Sequence, residues 1–213
     1  MLGESNVGPK ASSDGTQIPL RGDKTGALVS TDAHARYQEA VLRGNVYTAN
    51  AKSVTVTVTT NITPLPANTG RPQIGVYNPV GSGKNLVILR AGSATVSGTP
   101  GGPFYLDVIP ATGTVITATP STGIPINNFT LQALGSVTKC YAATAVTGSA
   151  AGVMLRPLGG LAAIAAGAGN YHFVEEIAGE IIVPPGAFIS ISAHATGTSH
   201  VHSCFISWEE VAI

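Results

Sequence analysis

Hydrophobic and polar residues alternate along much of this chain after residue 45. The clearest case is 53–60, SVTVTVTT, where valine alternates with serine or threonine. Because successive side chains of a strand point to opposite faces, this pattern predicts a strand with one buried face. Further strand-like runs, separated by turn-forming segments rich in Gly, Pro, Asn and Ser, lie at 73–77, 85–97, 103–109, 115–119, 128–146, 171–177, 180–183, 187–195 and 200–211.

About eight to ten short strands with regular breaks are typical of an all-β fold. We therefore expect residues 45–213 to form an antiparallel β-sandwich that is jelly-roll-like. The span 148–170 is different, because it is rich in Gly and Ala and has one charge, Arg156. Two interpretations of it stay open: a long loop crossing the sandwich, or an apolar contact surface for a neighbouring subunit.

The first 44 residues have another character. Residues 1–29 show no hydrophobic period, and such a segment buries too little apolar surface to fold alone. Residues 31–43, TDAHARYQEAVLR, carry a helical pattern, with Thr31 as a cap and Gly44 just after the end. We expect an extended N-terminal arm over 1–44 that contains one short helix at 31–43, followed by the sandwich body.

Charge is concentrated at the same end of the chain. Eleven of the 22 charged residues lie in 1–52, and the formal net charge is zero. A body so poor in charge has little electrostatic protection against self-association, which favours an assembly component over a catalyst. The neutral balance predicts binding neither to nucleic acid nor to a membrane. The start, MLGESNVGPK, lacks the pattern of a signal peptide, so we expect assembly in the cytoplasm.

Candidate chemistry is sparse. Cys140 and Cys204 lie far apart in strand-like contexts and are expected to be small buried side chains, not a disulfide. The GSGK at 81–84 has Asn78 where a phosphate-binding loop needs glycine, so it predicts a hairpin turn. The doublets at 175–176 and 209–210 place neighbouring glutamates on opposite faces of a strand. We therefore expect no enzyme activity, no catalytic residues and no cofactor.

Three histidines are the remaining candidates for a metal site. His200 and His202 are two residues apart on a predicted strand and so share a face, and His194 could lie opposite them. Three imidazoles on one patch could bind zinc or nickel. The favoured interpretation is three histidines at the surface or at a subunit axis, without metal.

Three segments resemble structural proteins of tailed bacteriophages that are encoded near the major capsid protein. They are DAHARYQEA at 32–40 with RGNV at 43–46, NPVGSGKNLVIL at 78–89, and FISWEEV at 205–211. The resemblance covers about a third of the chain, and its motifs are structural. It implies a capsid decoration (cement) protein whose jelly-roll-like body stands on the outer surface of the virion shell and whose arm staples neighbouring major capsid subunits.

On this interpretation the partners are the major capsid protein and further copies of the chain, as a trimer or dimer. The expected capsid contacts are Arg21, Arg36, Tyr37 and Arg43, since Arg and Tyr are enriched at binding hot spots. The alternative is a head-fibre or tail-tip sandwich that binds a receptor or glycan. A cupin-type enzyme using His194, His200 and His202 is a more distant alternative.

Overall fold

A computed structural model describes residues 36–56, 73–97, 102–111, 116, 118–142, 146, 152–161, 172–193 and 200–213. Contacts divide the chain into two units, Met1–Glu39 and Ala40–Ile213, and the sandwich lies in the second. Within the described ranges, no helix has the length and apolar composition needed to cross a bilayer.

The described elements are one helix and ten strands, and they pair into two antiparallel sheets. The first sheet has the order β5-β1-β10-β3-β8, and the second has the order β6-β2-β9-β4-β7. The elements are α1 (Gln38–Leu42), β1 (Val46–Val56), β2 (Ile74–Tyr77), β3 (Lys84–Ser97), β4 (Gly102–Ile109), β5 (Ile126–Asn127), β6 (Lys139–Ala142), β7 (Val153–Leu161), β8 (His172–Val183), β9 (Phe188–Ala193) and β10 (His200–Ala212).

The strand order is that of a jelly roll. When the two short strands β5 and β6 are set aside, the sheets are β1-β10-β3-β8 and β2-β9-β4-β7. Consecutive strands of the remaining eight lie in opposite sheets, except β4 and β7, which pair with each other in the second sheet. This is the arrangement of two interlocked Greek keys. The predicted all-β, jelly-roll-like sandwich with one short helix is confirmed.

The main core lies between the two sheets. Every second residue of β10 is fully or almost fully buried, namely Cys204, Ile206 and Trp208. Leu86 and Ile88 of the neighbouring strand β3 are buried beside them in the same core. This is the period-two pattern expected for strands with one buried face. Each large aliphatic side chain buried here contributes about 1.5–3 kcal/mol of transfer free energy, so the inter-sheet core is the main source of stability.

A second apolar cluster lies on the outer face of the second sheet. Tyr77, Tyr141, Phe188 and Ile109 point away from the inter-sheet core, because their strand neighbours point into it. They pack together with Ile116 and Val146. The second sheet is therefore buried on both faces in this region, which extends the core beyond a two-layer sandwich.

Several sequence-based expectations need correction. Of the span 148–170, residues 153–161 form strand β7, so the loop interpretation is wrong there. Of the predicted strand 128–146, only Lys139–Ala142 is a described strand, because 128–138 is folded into turns. In 115–119, the described residues are not in a strand. The turn at 81–84 joins β2 to β3, which lie in different sheets, so it is not a hairpin.

Two further differences concern strand ends. Residues 53–56 of the alternating segment belong to β1, which already begins at Val46, and residues 57–60 lie outside the described residues. The runs predicted at 171–177 and 180–183 are joined in one strand, β8 (His172–Val183), which has an irregularity at Ala178 and Gly179. Both of these residues have positive φ angles, of 57° and 89°.

The helix α1 is short and ends as the sequence predicts. Gly44 has a φ of 72°, and its N–H donates to Val41 O at 2.8 Å while Asn45 N donates to Ala40 O at 3.1 Å. This is the Schellman arrangement that favours glycine after a helix. Residues 31–35 of the predicted helix lie outside the described residues, as does most of the predicted arm, so the boundary at residue 44 stays a prediction.

Gly75 in β2 provides a test of the second cluster. A Cβ at this position would overlap Cζ of Phe188 and lie 2.7 Å from its Cε2, so the aromatic ring occupies the space that glycine leaves. We expect Gly75→Ala to lower the free energy of unfolding by about 1–3 kcal/mol, as overpacking does. Chemical denaturation measures this change.

The matched control for Gly75→Ala is the same substitution in a Phe188→Leu background. Without the ring the added methyl meets less resistance, so the cost of Gly75→Ala should fall. An equal cost in both backgrounds would contradict the packing described here.

Candidate interaction surfaces

His202, one of the three histidines of the predicted patch, does not lie at the surface. This residue is 1% exposed and its ring lies 4.6 Å from that of Phe104, edge to face, inside the sandwich. The backbone of His200 pairs with Val56 in the first sheet, and His194 lies outside the described residues. The expected surface position is therefore wrong for His202. Within the described residues, no three His, Cys, Asp or Glu side chains lie close enough to hold a metal ion.

The two cysteines are where the sequence predicts them. Both are free and buried in the inter-sheet core. Burial raises the pKa of the Cys140 thiol to about 12 and that of Cys204 to about 11. Since the thiolate is the reactive form, neither cysteine is a nucleophile at neutral pH.

Of the four predicted capsid contacts, three are described. Arg36 and Arg43 are exposed and Tyr37 is half-buried. The guanidinium carbon of Arg36 lies 5.4 Å from the ring centroid of Tyr37, which is a cation–π contact. Arg21 lies outside the described residues. The structure therefore brings Arg36 and Tyr37 together and leaves Arg43 exposed at the end of α1.

A segment that the sequence did not single out carries three exposed apolar side chains. Residues 128–135, which we call the apolar loop, follow the edge strand β5. In this loop Phe129 is 54% exposed, Leu131 77% and Leu134 67%. Exposed large apolar groups held close together in one short segment are typical of contact sites.

The apolar loop is held in place by Asn127 at its start. The Asn127 side-chain oxygen accepts from the N–H groups of Phe129 and Thr130, at 2.9 and 3.1 Å, and its amide donates to Gly44 O at 2.7 Å. Leu131 adopts a φ of 57°, which is uncommon outside glycine and asparagine. The conformation of the apolar loop is therefore set by the hydrogen bonds of Asn127.

Glu210 holds the other end of the apolar loop. This carboxylate is fully buried, accepts from Ser136 Oγ at 2.6 Å and from Val137 N at 3.1 Å, and pairs with Lys84 Nζ at 2.9 Å. Charge-assisted hydrogen bonds of this kind are stronger than neutral ones. The sequence draws attention to Glu210 through the Glu209–Glu210 doublet. It does not show the partners of Glu210, because Lys84 and Ser136 are distant in sequence.

A second apolar surface lies where the edge strands β7 and β8 come together. A groove of about 270 Å³ is lined there entirely by apolar residues, among them Val108, Pro110, Leu155 and Ile182. It is smaller than the roughly 300–1,000 Å³ of small-molecule sites, so it is suited to a side chain. Two of the lining residues are exposed, Leu155 by 45% and Ile182 by 55%.

Ion pairs hold the two edge strands beside this groove. Arg156 of β7 lies 3.1 Å from Glu175 and 3.0 Å from Glu180, both on β8. Arg90 pairs with Glu176 at 2.6 Å. Both members of the 175–176 doublet therefore face an arginine, and they form no acid/base pair. Partly exposed pairs contribute little stability, so their role here is to position the two strands.

The edges of the described sheets do not offer long regular templates for strand addition. β5 and β6 are only 2 and 4 residues long. The pairing of β7 shifts register twice along β4, and β7 contains Pro157, which has no N–H to donate. The pairing of β8 shifts once along β3. Short, irregular edges resist backbone pairing with another chain.

Comparison of the chain with protein-family models, with curated proteins and with solved structures found no match.

Trp208 is fully buried and cannot stack on a sugar. The described residues present two exposed apolar surfaces, the apolar loop and the groove.

Glu210 can be tested by truncation. We expect Glu210→Ala to lower the free energy of unfolding by about 2–4 kcal/mol, because a buried set of charged hydrogen bonds is lost. The Val137 amide should exchange with solvent faster, which hydrogen–deuterium exchange measures. Glu209→Ala is the control and should change stability by less than about 0.5 kcal/mol. Unchanged exchange at Val137 in the Glu210 variant would contradict the anchoring role.

Asp107 of β4 is a buried carboxyl that gives a pH-dependent test. Burial raises its pKa, and a hydrogen bond from Ser192 partly opposes that rise. A raised pKa in the folded state favours the protonated form. The contribution to stability is therefore complete below the unfolded pKa, near 3.8, and is lost as pH rises through the folded value.

We therefore expect Asp107→Asn to become more stable relative to the unmodified chain as pH rises from 4 to 8. Urea unfolding at several pH values measures the difference. The control, Val96→Thr, changes an exposed residue that does not titrate, so its stability relative to the unmodified chain should not vary with pH. A relative stability of Asp107→Asn that falls with pH would contradict this assignment.

Proposed function

We propose that this protein is a capsid decoration protein of the tailed-phage type. Its jelly-roll body stands on the outer surface of the head, and residues 1–44 contact neighbouring major capsid subunits. Copies of the body contact each other through apolar surfaces. In this way the protein staples the shell and strengthens it against the pressure of the packaged genome.

The observation that carries the proposal is a charge-poor body with exposed apolar surfaces. Jelly rolls occur in viral capsid proteins, lectins and cupins, so the fold alone does not select among these functions. The apolar loop and the groove favour an assembly role, because large apolar groups in contact sites are covered by partners. Only half of the charged residues lie among the 161 residues after Lys52. This low charge density also favours a surface that is covered by partners.

The N-terminal region has the chemistry of a contact segment. It contains basic and acidic residues in nearly equal number, which suits complementary patches on a partner and sets register more than affinity. Arg36 and Arg43 are exposed at its described end, and Tyr37 adds an aromatic anchor beside Arg36. With Arg21, these residues are the proposed capsid contacts.

Charge reversal tests these contacts. We expect Arg36→Glu/Arg43→Glu to bind purified phage shells about tenfold to thirtyfold more weakly, the effect of losing about 1.4–2 kcal/mol at hot-spot residues. Co-sedimentation with shells measures the dissociation constant. Stability should be unchanged, because both side chains are exposed.

Lys139→Glu is the matched control, since Lys139 is an exposed basic residue of the body. It should leave shell binding unchanged. Equal loss of binding in the control and the double variant would contradict a specific role for Arg36 and Arg43. A chain that binds no shell at all would contradict the proposed function itself.

A further inference from the structure

The apolar loop and the groove lie at opposite edges of the first sheet. One row of paired residues crosses that sheet from Asn127 through Tyr47, Trp208 and Ile88 to Ile181. Four inter-strand spacings of about 4.8 Å separate its ends by about 19 Å. The apolar loop begins just after Asn127, and Ile181 lines the groove. The two surfaces are therefore level with each other on opposite sides of the body.

We propose that the apolar loop of one copy inserts into the groove of the next copy. This contact rests on the self-association that the proposed function includes, and it names the two surfaces that meet. The projecting side chains are Phe129 and Leu131, and the receiving wall includes Leu155 and Ile182. The contact is heterologous, because two different surfaces of the same chain come together.

Complementary chemistry supports a second copy as the occupant. The loop sequence NFTLQALG has no charge, and the groove is lined only by apolar residues. Entry of the loop therefore brings no new charge into the apolar groove, whereas an acidic or basic occupant would bury one there. The groove is the size of a side chain, and the loop presents Phe129 and Leu131 in a conformation already fixed by Asn127. A loop held in its binding shape loses little entropy on association.

A single contact that covers both surfaces is heterologous, because the two surfaces differ. A two-fold dimer through the groove alone would bury Leu155 and Ile182 and leave Phe129, Leu131 and Leu134 in water. Insertion of the loop into the next copy covers both sets at once. Since the surfaces lie on opposite sides, repetition of the contact generates a ring when the rotation closes.

Complementation between two variants tests this arrangement. The loop variant, Phe129→Ser/Leu131→Asn, keeps an intact groove, and asparagine tolerates the positive φ at 131. The groove variant, Leu155→Ser/Ile182→Lys, keeps an intact loop. All four positions are exposed by 45% or more, so both variants should fold, which circular dichroism and thermal unfolding check. The control is Val96→Thr, at an exposed position on β3.

We expect the full chain and the Val96→Thr control to form one discrete oligomer in native mass spectrometry. Each of the other variants should be monomeric. An equimolar mixture of the two should give a 1:1 heterodimer and nothing larger, because only one intact loop and one intact groove remain in each pair.

Three results would overturn the proposal. A monomeric full chain would show that the two surfaces do not bind each other in solution. Loss of the oligomer in the groove variant alone would indicate a two-fold contact. Two monomeric variants that do not combine would show that loop and groove are not partners. This test uses the protein without shells. A chain that fails to bind shells would therefore contradict the proposed function and would not change the result of the test of loop and groove.

Discussion

The structure depends on the burial of one face of each sheet against the other. Along β10, Cys204, Ile206 and Trp208 fill the space between the sheets, and their strand neighbours point outward. This packing sets which residues are available at the surface. One row of paired residues crosses the first sheet from Asn127 on the edge strand β5, through Trp208, to Ile181 on the opposite edge strand β8. The strand pairing therefore also fixes where β5 and β8 lie relative to each other along the strand direction. The positions of the apolar loop and the groove follow from it.

Polar groups then fix the details that apolar packing leaves free. Glu210 and Asn127 hold the two ends of the apolar loop, so its exposed side chains are presented in one conformation. Arg156 reaches from one sheet to the other at the far edge and keeps β7 beside β8. With few charges in the body, most of those described make a specific contact. The scarcity of charge gives the apolar surfaces little electrostatic protection against association, which is the physical basis for the proposed assembly role.

Much of the sandwich could be predicted from the sequence, because strict alternation has a direct structural meaning. The strands 85–97 and 200–211 and the burial of both cysteines follow from local pattern. The apolar loop could not be predicted, because Phe129 and Leu131 alternate like strand residues and their true state depends on Asn127 and the distant Glu210. The loop interpretation of 148–170 failed at 153–161 because β7 is stabilised by pairing with β4, and two glycines hid that pairing. His202 was misplaced because its short alternating segment does not show which face is buried.

The central claim is that the exposed apolar surfaces of the body are covered by neighbouring copies. An electron cryo-microscopy reconstruction of the oligomer tests it most directly. The account predicts that the ring of Phe129 in one copy lies within van der Waals contact of Ile182 in the next. A reconstruction in which both side chains face solvent would contradict it.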